Sequence, residues 1–203
     1  MKTRTLILSG AALIALCMPS AFAQQSTTAT APDPSIAQRK DNQQDRIAQG
    51  IDSGQLTAGE TKNLETKEAA LNTEEHTMRS EDDGHLTAAD RVALNNQQNH
   101  LSNRIYDDKH NANVAHYGNN EVGQRRENQQ DRIAQGVKSG QLTAGETARL
   151  EGQQQSINRE DAAMRRANGG TLTSGDKAAL NHRQNNASAN IYNKKHNGRT
   201  THP

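Results

Sequence analysis

The stretch NQQDRIAQGIDSGQLTAGET at residues 42–61 recurs as NQQDRIAQGVKSGQLTAGET at residues 128–147, with the same residue at 18 of 20 positions. The match continues without a gap, and residues 39–112 share 40 identical positions out of 74 with residues 125–198. A tandem duplication of this kind predicts two copies of one structural unit. We assign helical repeat 1 to residues 36–112 and helical repeat 2 to residues 125–198.

A shorter pattern, Gly-x-Leu-Thr-x-x-acid, predicts where helices end and begin. The glycine ends one helix at a position that needs positive φ, the threonine caps the next helix, and the acid reaches back to complete a capping box. Thr57 with Glu60 and Thr143 with Glu146 fit this scheme fully, whereas aspartate shortens the acid in the other two copies. The pattern begins at Gly54, Gly84, Gly140 and Gly170.

Apolar residues recur at helical spacing between these turns. In repeat 1 they predict helices over residues 36–52, 58–80 and 88–111, and repeat 2 follows the same pattern. The predicted fold is therefore all-α, with two tandem three-helix units. The core of each unit contains few apolar residues, so we expect the two units to need each other or a partner in order to fold stably. Val92 and Tyr106 are expected to support the core of repeat 1. The core residues predicted in repeat 1 are Ile47, Ile51, Leu56, Leu64, Leu71, Met78, Leu86, Leu94, Leu101 and Ile105.

The N-terminus, residues 1–23, has two basic residues, an apolar run and a small-x-small ending, Ala-Phe-Ala. This pattern predicts a secretory signal peptide that is cleaved before Gln24, and hence a periplasmic or extracellular protein. The alternative is a lipid anchor on Cys17, the only cysteine of the chain. Cleavage before Gln24 removes that cysteine, which excludes disulfides and thiol catalysis in the mature chain.

The rest of the chain is polar. Only 31% of the residues are hydrophobic and 2% are aromatic, which excludes a large core and, beyond the signal peptide, a membrane span. Without Lys2 and Arg4 the chain holds 22 basic and 23 acidic residues, a balance that does not favour nucleic acid as a partner. We predict a disordered leader at residues 24–35, a linker at 113–124 and a tail at 199–203.

No sequence motif for catalysis is present. The chain has no G-x-S-x-G, no nucleotide-binding glycine loop and no H-E-x-x-H. Acid pairs such as Asp107 and Asp108 lie among polar helix residues, with no apolar pocket that would suit them to acid–base catalysis. The sequence therefore predicts a non-enzymatic protein without a cofactor.

The glycine turns offer one candidate metal site. The pattern resembles the second half of an EF-hand calcium loop, which implies that Glu81, Asp83, Thr87 and Asp90 would hold calcium if the resemblance extends to function. In the turn at Gly54, an EF-hand alignment places Ile51 at a ligand position, where it offers no oxygen, so helix capping is the favoured interpretation. The recurring histidines are predicted to be ordinary surface residues, because their spacing does not put both rings on one helix face; they are His110, His116, His196 and His202.

Repeated polar strings form the predicted interaction surface, for a protein partner or for self-association. They lie at the start and at the end of each unit, and the alternative is that they are simply solvated helix surface. The candidate residues are Asn42, Gln43, Arg46, Lys109, His110, Asn111, Asn128, Gln129, Arg132, Lys195, His196 and Asn197.

The string NQQDRIAQGxxSGQLTAGE, followed by IYxxKHN, resembles a group of small exported bacterial proteins built from one or two such units. The resemblance implies export and a helical fold, and it implies no particular activity. The strings LTAGE, LTAAD, LTAGE and LTSGD are loosely similar to the LTxxQ motifs of periplasmic helical stress proteins, which act as chaperones or metal-responsive modulators, although an acid replaces the closing glutamine.

Together these patterns predict a non-enzymatic, exported helical module of the cell envelope that binds a partner or protects against stress. Two alternatives remain open at this point. One is a degenerate EF-hand-like protein that binds calcium or another divalent metal. The other is a hydrophilin-like protectant that stays largely unfolded, which the strongly polar composition would allow.

Overall fold

The structure, a computed structural model, describes residues 34–201, and within this range it is all-α, as predicted, with six helices and no strand. The predicted signal peptide, most of the leader and the last two residues of the tail lie outside the described residues. None of the described helices is both long enough and apolar enough to span a membrane. The helices are α1 Pro34–Asp52, α2 Ala58–Glu81, α3 Ala88–Lys109, α4 Glu121–Lys138, α5 Ala144–Ala167 and α6 Ser174–Lys195.

All four predicted capping boxes are present. At the start of α2 the backbone N–H of Thr57 donates to Glu60 Oε2 at 3.0 Å, and the backbone N–H of Glu60 donates to Thr57 Oγ1 at 3.3 Å. The two aspartate versions are complete as well, so the shorter side chain suffices. The glycine that precedes each cap has a φ of 68° to 93°, as the pattern requires; these are Gly54, Gly84, Gly140 and Gly170.

Two helix starts differ from the predicted boundaries. Helix α1 begins at Pro34, because the fixed φ of proline suits the first turn of a helix, and it therefore includes the last two residues of the predicted leader. Helix α4 begins at Glu121, because Asn120 Oδ1 accepts a hydrogen bond from the backbone N–H of Gly123 at 3.0 Å. Residues 121–124, predicted as linker, are consequently helical.

The two repeats pack against each other along α2 and α5 and along α1 and α4. Helices α2 and α5 run antiparallel, since the start of each lies beside the middle of the other. A Cβ placed on Gly59 would lie 2.4 Å from Gln155 Nε2, and one placed on Gly145 would lie 4.0 Å from Ala69 Cβ. Gly59 and Gly145 occupy equivalent positions in the two repeats, and so do Ala69 and Gln155. The two contacts are therefore the same contact seen from each repeat, which means that an approximate two-fold axis relates the repeats.

The main hydrophobic core is shared between the repeats. One cluster holds Leu64 and Ile105 from repeat 1 together with Ile133 and Leu150 from repeat 2. A smaller cluster, around Ile157, consists of residues of repeat 2 and of Val122 near the start of α4. The described chain therefore forms one six-helix bundle, and neither repeat has a complete core of its own.

The predicted core of repeat 1 is mostly correct. Nine of its ten residues are buried, and Met78 packs at the edge of the cluster, partly buried. The supporting role predicted for Val92 and Tyr106 is wrong, because these side chains are 61% and 58% exposed. Both lie off the face of α3 that points to the core, which carries Leu94 and Ile105.

Candidate functional site

Two glutamines of the predicted interaction surface are buried between helices. Gln43 Nε2 donates to the backbone oxygen of Gln98 at 2.7 Å and to Ser102 Oγ at 2.8 Å, which ties α1 to α3. Gln129 Nε2 makes the equivalent bonds in repeat 2, at 2.7 Å each. Gln43 and Gln129 are therefore not accessible to a partner as the predicted interaction surface would require, because the 3.6-residue period of α1 and α4 turns them toward the third helix of their repeat. Their neighbours Asn42 and Asn128 are exposed.

The cationic residues of the predicted interaction surface join the first helix of each repeat to the third by hydrogen bonds. Arg46 Nη2 donates to the backbone oxygen of Ser102 at 3.1 Å, and Lys109 Nζ donates to Gln49 Oε1 at 2.9 Å. The structure thus brings Arg46 and Lys109 to the same junction of α1 and α3. Arg132 and Lys195 form the same junction in repeat 2.

The string IYxxKHN fixes the end of the third helix to the start of the second. Asn111 Nδ2 donates to Glu60 Oε1 at 2.8 Å, and Asn197 Nδ2 donates to Glu146 Oε1 at 2.6 Å. In each repeat the accepting glutamate is also the acid of the capping box at the start of the second helix. One carboxylate therefore completes that cap and also binds the turn that follows the third helix. Burial raises the pKa of Glu60, but the hydrogen bonds that its carboxylate accepts from Thr57, Asn111 and Asn113 lower the pKa by more. The net result is a pKa below the usual 4.5.

The same string presents a tyrosine and a histidine to solvent. The rings of Tyr106 and His110 stack at 4.1 Å between centroids with 28° between their planes, and Tyr192 and His196 stack at 4.2 Å with the same angle. Both tyrosines are 58% exposed. Each histidine Nδ1 lies 2.7 Å from the backbone oxygen of its tyrosine, which orients the ring. We call these two pairs the Tyr–His patches.

The candidate calcium loop is organised as a helix cap. Asp90 Oδ2 accepts hydrogen bonds from the backbone N–H of Thr87 at 2.9 Å and from its hydroxyl at 2.6 Å. Within residues 34–201 no group of three histidine, cysteine, aspartate or glutamate side chains is arranged to hold a metal ion. His116 is exposed and His202 lies outside the described residues.

A group of buried carboxyls, which the sequence did not reveal, lies where α2 meets α5. Glu65 and Glu151, equivalent residues of the two repeats, are fully buried, and Glu68 is 1% exposed. Burial raises the pKa of Glu151 to about 8 and that of Glu68 to about 7, and it raises the pKa of Glu65 well above 4.5. Gln44 and Gln130 each donate one amide hydrogen bond to the glutamate of their own repeat.

A cavity of about 420 Å³ opens beside Glu68 at the junction of the two repeats. We call it the junction cavity. Three residues that line it also carry a buried oxygen without a hydrogen-bond partner, namely Glu68 Oε2, Asn72 Oδ1 and Gln44 Oε1. Its residues come from α1, α2, α4 and the start of α5, with Thr200 and Thr201; they are Lys40, Asp41, Gln44, Asp45, Glu68, Ala69, Asn72, Val137, Lys138, Thr143, Ala144, Gly145, Thr200 and Thr201.

No protein family, curated protein or solved structure matches this chain. A function for this chain is therefore argued from the geometry of the described residues, first of all the Tyr–His patches.

Proposed function

We propose that the protein is a non-enzymatic, exported module of the cell envelope that binds a partner, in a binding or stress-protective role, through its two Tyr–His patches. The observation that carries this proposal is the duplication of an exposed, oriented aromatic pair in a chain that has very few aromatic residues. Tyrosine is enriched at protein interfaces because it brings apolar area and a polar group at low entropic cost.

The framework behind each patch supports the proposal. Lys109 and Asn111 bond to α1 and to the α2 cap, so the turn that carries His110 is held on two sides. A surface that is already ordered loses little conformational entropy when it binds, which favours affinity. Two equivalent patches on one rigid body also allow a partner with repeated sites to bind at both, and avidity then exceeds the affinity of a single patch.

The proposal is tested with the protein purified after export. Tyr106→Ala and Tyr192→Ala are made singly and together, and partner capture is measured from envelope extracts by quantitative mass spectrometry. We expect partial loss in each single variant and full loss in the double variant, with unchanged helix content. Val92→Ala is the matched control, because Val92 is equally exposed but lies outside both patches. Capture by the double variant at the wild-type level would refute the proposal.

Export itself is tested by the mass of the protein in the periplasmic and extracellular fractions. We expect a chain that begins at Gln24, because the Ala-Phe-Ala sequence marks the cleavage site. A chain that begins at Cys17 with an added lipid mass would support the anchor instead, and an uncut chain in the cytoplasm would contradict export.

A further inference from the structure

A pair of cations lies beside each Tyr–His patch. In repeat 1, Ser102, Tyr106 and Lys109 follow one another at i, i+4 and i+7, a spacing that places them on one face of α3. Arg46 reaches this face from α1, where its Nη2 donates to the backbone oxygen of Ser102 at 3.1 Å. Burial and the neighbouring charge of Arg46 both lower the pKa of Lys109, so the two cations are close to each other.

Repeat 2 carries the same arrangement on identical residues. Arg132 Nη2 donates to the backbone oxygen of Ser188 at 3.2 Å, and Lys195 lies next to Arg132 as Lys109 lies next to Arg46. We call Arg46 with Lys109, and Arg132 with Lys195, the cation pairs. The fold therefore holds two equivalent cation pairs, each beside an exposed tyrosine.

The cation pairs keep hydrogen-bond donors for an anion. All four side chains are partly exposed, and within residues 34–201 none of them lies in an ion pair with an acid. An arginine has five N–H donors and a lysine has three, whereas the hydrogen bond that each of them makes to its own repeat uses one. Two adjacent cations repel each other, so an anion that binds both relieves this repulsion.

Both cation pairs border one groove of about 920 Å³ between α1 and α4. Arg46 and Gln49 line it from α1, and Arg132 and Gln135 line it from α4. Because Gln49 and Gln135 accept hydrogen bonds from the lysines of the two pairs, each pair stands at an edge of the groove. One partner can therefore reach both pairs from the same side of the bundle.

The groove itself also carries acids. Burial raises the pKa of Asp131, and the charge of Asp52 raises it further, so these two carboxylates repel each other. The equivalent positions hold Asp45 and Lys138, where the charges balance. A row of closely spaced anions along the groove would meet Asp52 and Asp131, whereas separate carboxylates at the two cation pairs would not.

We propose that each cation pair binds a carboxylate of an acidic peptide segment of the partner, and that the chain of this segment lies against the neighbouring tyrosine. This inference rests on the proposed function, because it names the chemistry of the partner that the Tyr–His patches bind. An arginine binds a carboxylate through two parallel hydrogen bonds, and tyrosine adds apolar contact area at low entropic cost. The acids of the groove favour a peptide with separated carboxylates over nucleic acid or an anionic membrane, whose charges are closely spaced.

The probe is a peptide of about ten residues in which glutamate alternates with glycine, and its control carries glutamine in place of glutamate. Binding to the exported protein is measured by calorimetry and by NMR shifts of the tyrosine rings. We expect a Kd of about 1 mM or tighter, weakened about fivefold when the salt concentration rises from about 50 mM to about 300 mM. The rings of Tyr106 and Tyr192 should shift, and that of Tyr117, which lies outside both patches, should not.

Three results would overturn the proposal. One is equal binding of the glutamate and glutamine peptides, and another is the absence of saturation by about 10 mM glutamate peptide. The third is tighter binding of a single-stranded oligonucleotide or of phosphatidylglycerol vesicles than of the glutamate peptide, which would assign the cation pairs to closely spaced phosphates instead.

Paired substitutions test the arginines directly. Arg46→Gln with Arg132→Gln should weaken binding of the glutamate peptide about tenfold or more, since a charge-assisted bond is lost at each site. Arg149→Gln with Arg159→Gln is the matched control, because it lowers the net charge equally at exposed residues of α5. Arg46→Lys with Arg132→Lys keeps the charge and loses only the two parallel bonds, so its affinity should lie between. Helix content is measured in every variant, and equal affinity in the first two variants would contradict the assignment.

The two sites should differ in affinity. An exposed acid, Asp107, follows Tyr106, whereas the neutral Asn193 follows Tyr192. Because a nearby carboxylate repels the ligand, we expect the Tyr192 ring to shift at lower peptide concentration than the Tyr106 ring. Asp107→Asn introduces the residue of repeat 2 and should reduce this difference, and the reverse order of the two rings in the wild type would contradict electrostatic recognition.

Failure of this inference is distinguishable from failure of the proposed function. If the glutamate peptide does not bind while Tyr106→Ala with Tyr192→Ala still abolishes capture, the patches bind a partner without an acidic segment, and this inference alone is wrong. If that double variant captures its partner at the wild-type level, the proposed function is wrong as well.

Discussion

Gln130 donates a hydrogen bond from its side-chain amide to Glu151 Oε2 at 3.1 Å, and in the other repeat Gln44 makes the same bond to Glu65 at 3.2 Å. Both carboxyls are fully buried between α2 and α5, close to the approximate two-fold axis that relates the two repeats. A neutral amide compensates a buried carboxylate less well than a cation does, so both groups favour their protonated forms. The centre of the bundle is therefore sensitive to pH.

We expect the free energy of unfolding to fall as the pH rises from about 5 to about 9. The pKa values of Glu151, about 8, and Glu65, well above 4.5, are raised by burial in the folded state. An acid with a raised pKa stabilises the fold while it is protonated, and this contribution is lost as the pH passes through the folded-state value. Urea unfolding followed by circular dichroism measures the effect. Glu65→Gln with Glu151→Gln should flatten the profile, and a stability that increases over this range would contradict the assignment.

A fragment of residues 24–120 should not behave as a stable monomer. The main core needs Ile133 and Leu150 from repeat 2, and the faces of α1 and α2 that pack on α4 and α5 would be exposed. Because the two repeats present equivalent faces, we expect the fragment to form a symmetric dimer whose helix content falls on dilution. Light scattering and circular dichroism over a concentration series test this, and a monomer with a cooperative melt would show that one repeat suffices.

Gly50→Ala should destabilise the protein by about 1–3 kcal/mol. A Cβ at this position would lie 2.6 Å from Leu56 Cδ1, and Leu56 is fully buried after its turn folds back onto α1. Gly152→Ala is the control, because its Cβ would meet only the flexible Lys62 side chain at 3.7 Å, and it should be neutral or stabilising by up to about 1 kcal/mol. Thermal and urea melts measure both, and equal effects would mean that the close approach of Leu56 is unimportant.

Thr57→Ala should cost about 1 kcal/mol, the usual cost of losing an N-cap. Thr57 Oγ1 accepts from the backbone N–H of Glu60 and donates to its carboxylate at 2.7 Å, so the substitution opens the capping box and releases Glu60 from one of its partners. Thr66→Ala, on the exposed side of the same helix, should change stability little. If both variants lost the same stability, the loss would reflect removal of any helical threonine and not the opening of the capping box.

Local patterns in the sequence were sufficient to predict the helices. The duplicated string, the Gly-x-Leu-Thr-x-x-acid turns and the apolar spacing predicted an all-α chain, its capping residues and nine buried apolar residues of repeat 1. This succeeded because capping and positive φ at glycine depend on neighbours in the chain. The same local logic favoured capping over calcium binding at Asp90, and the geometry of that cap is present.

The tertiary structure alone decided how the repeats are joined. Polar residues such as Gln43, Glu65 and Glu151 become buried only because α1 and α2 pack on helices that are distant in sequence, and hydropathy carries no signal for that. The junction cavity likewise is lined by residues of both repeats, such as Glu68 and Val137, which only the packing of the repeats brings together. Sequence determined each helix through contacts with near neighbours, whereas the buried carboxyls and the cavity depend on contacts between repeats, which only the folded bundle makes.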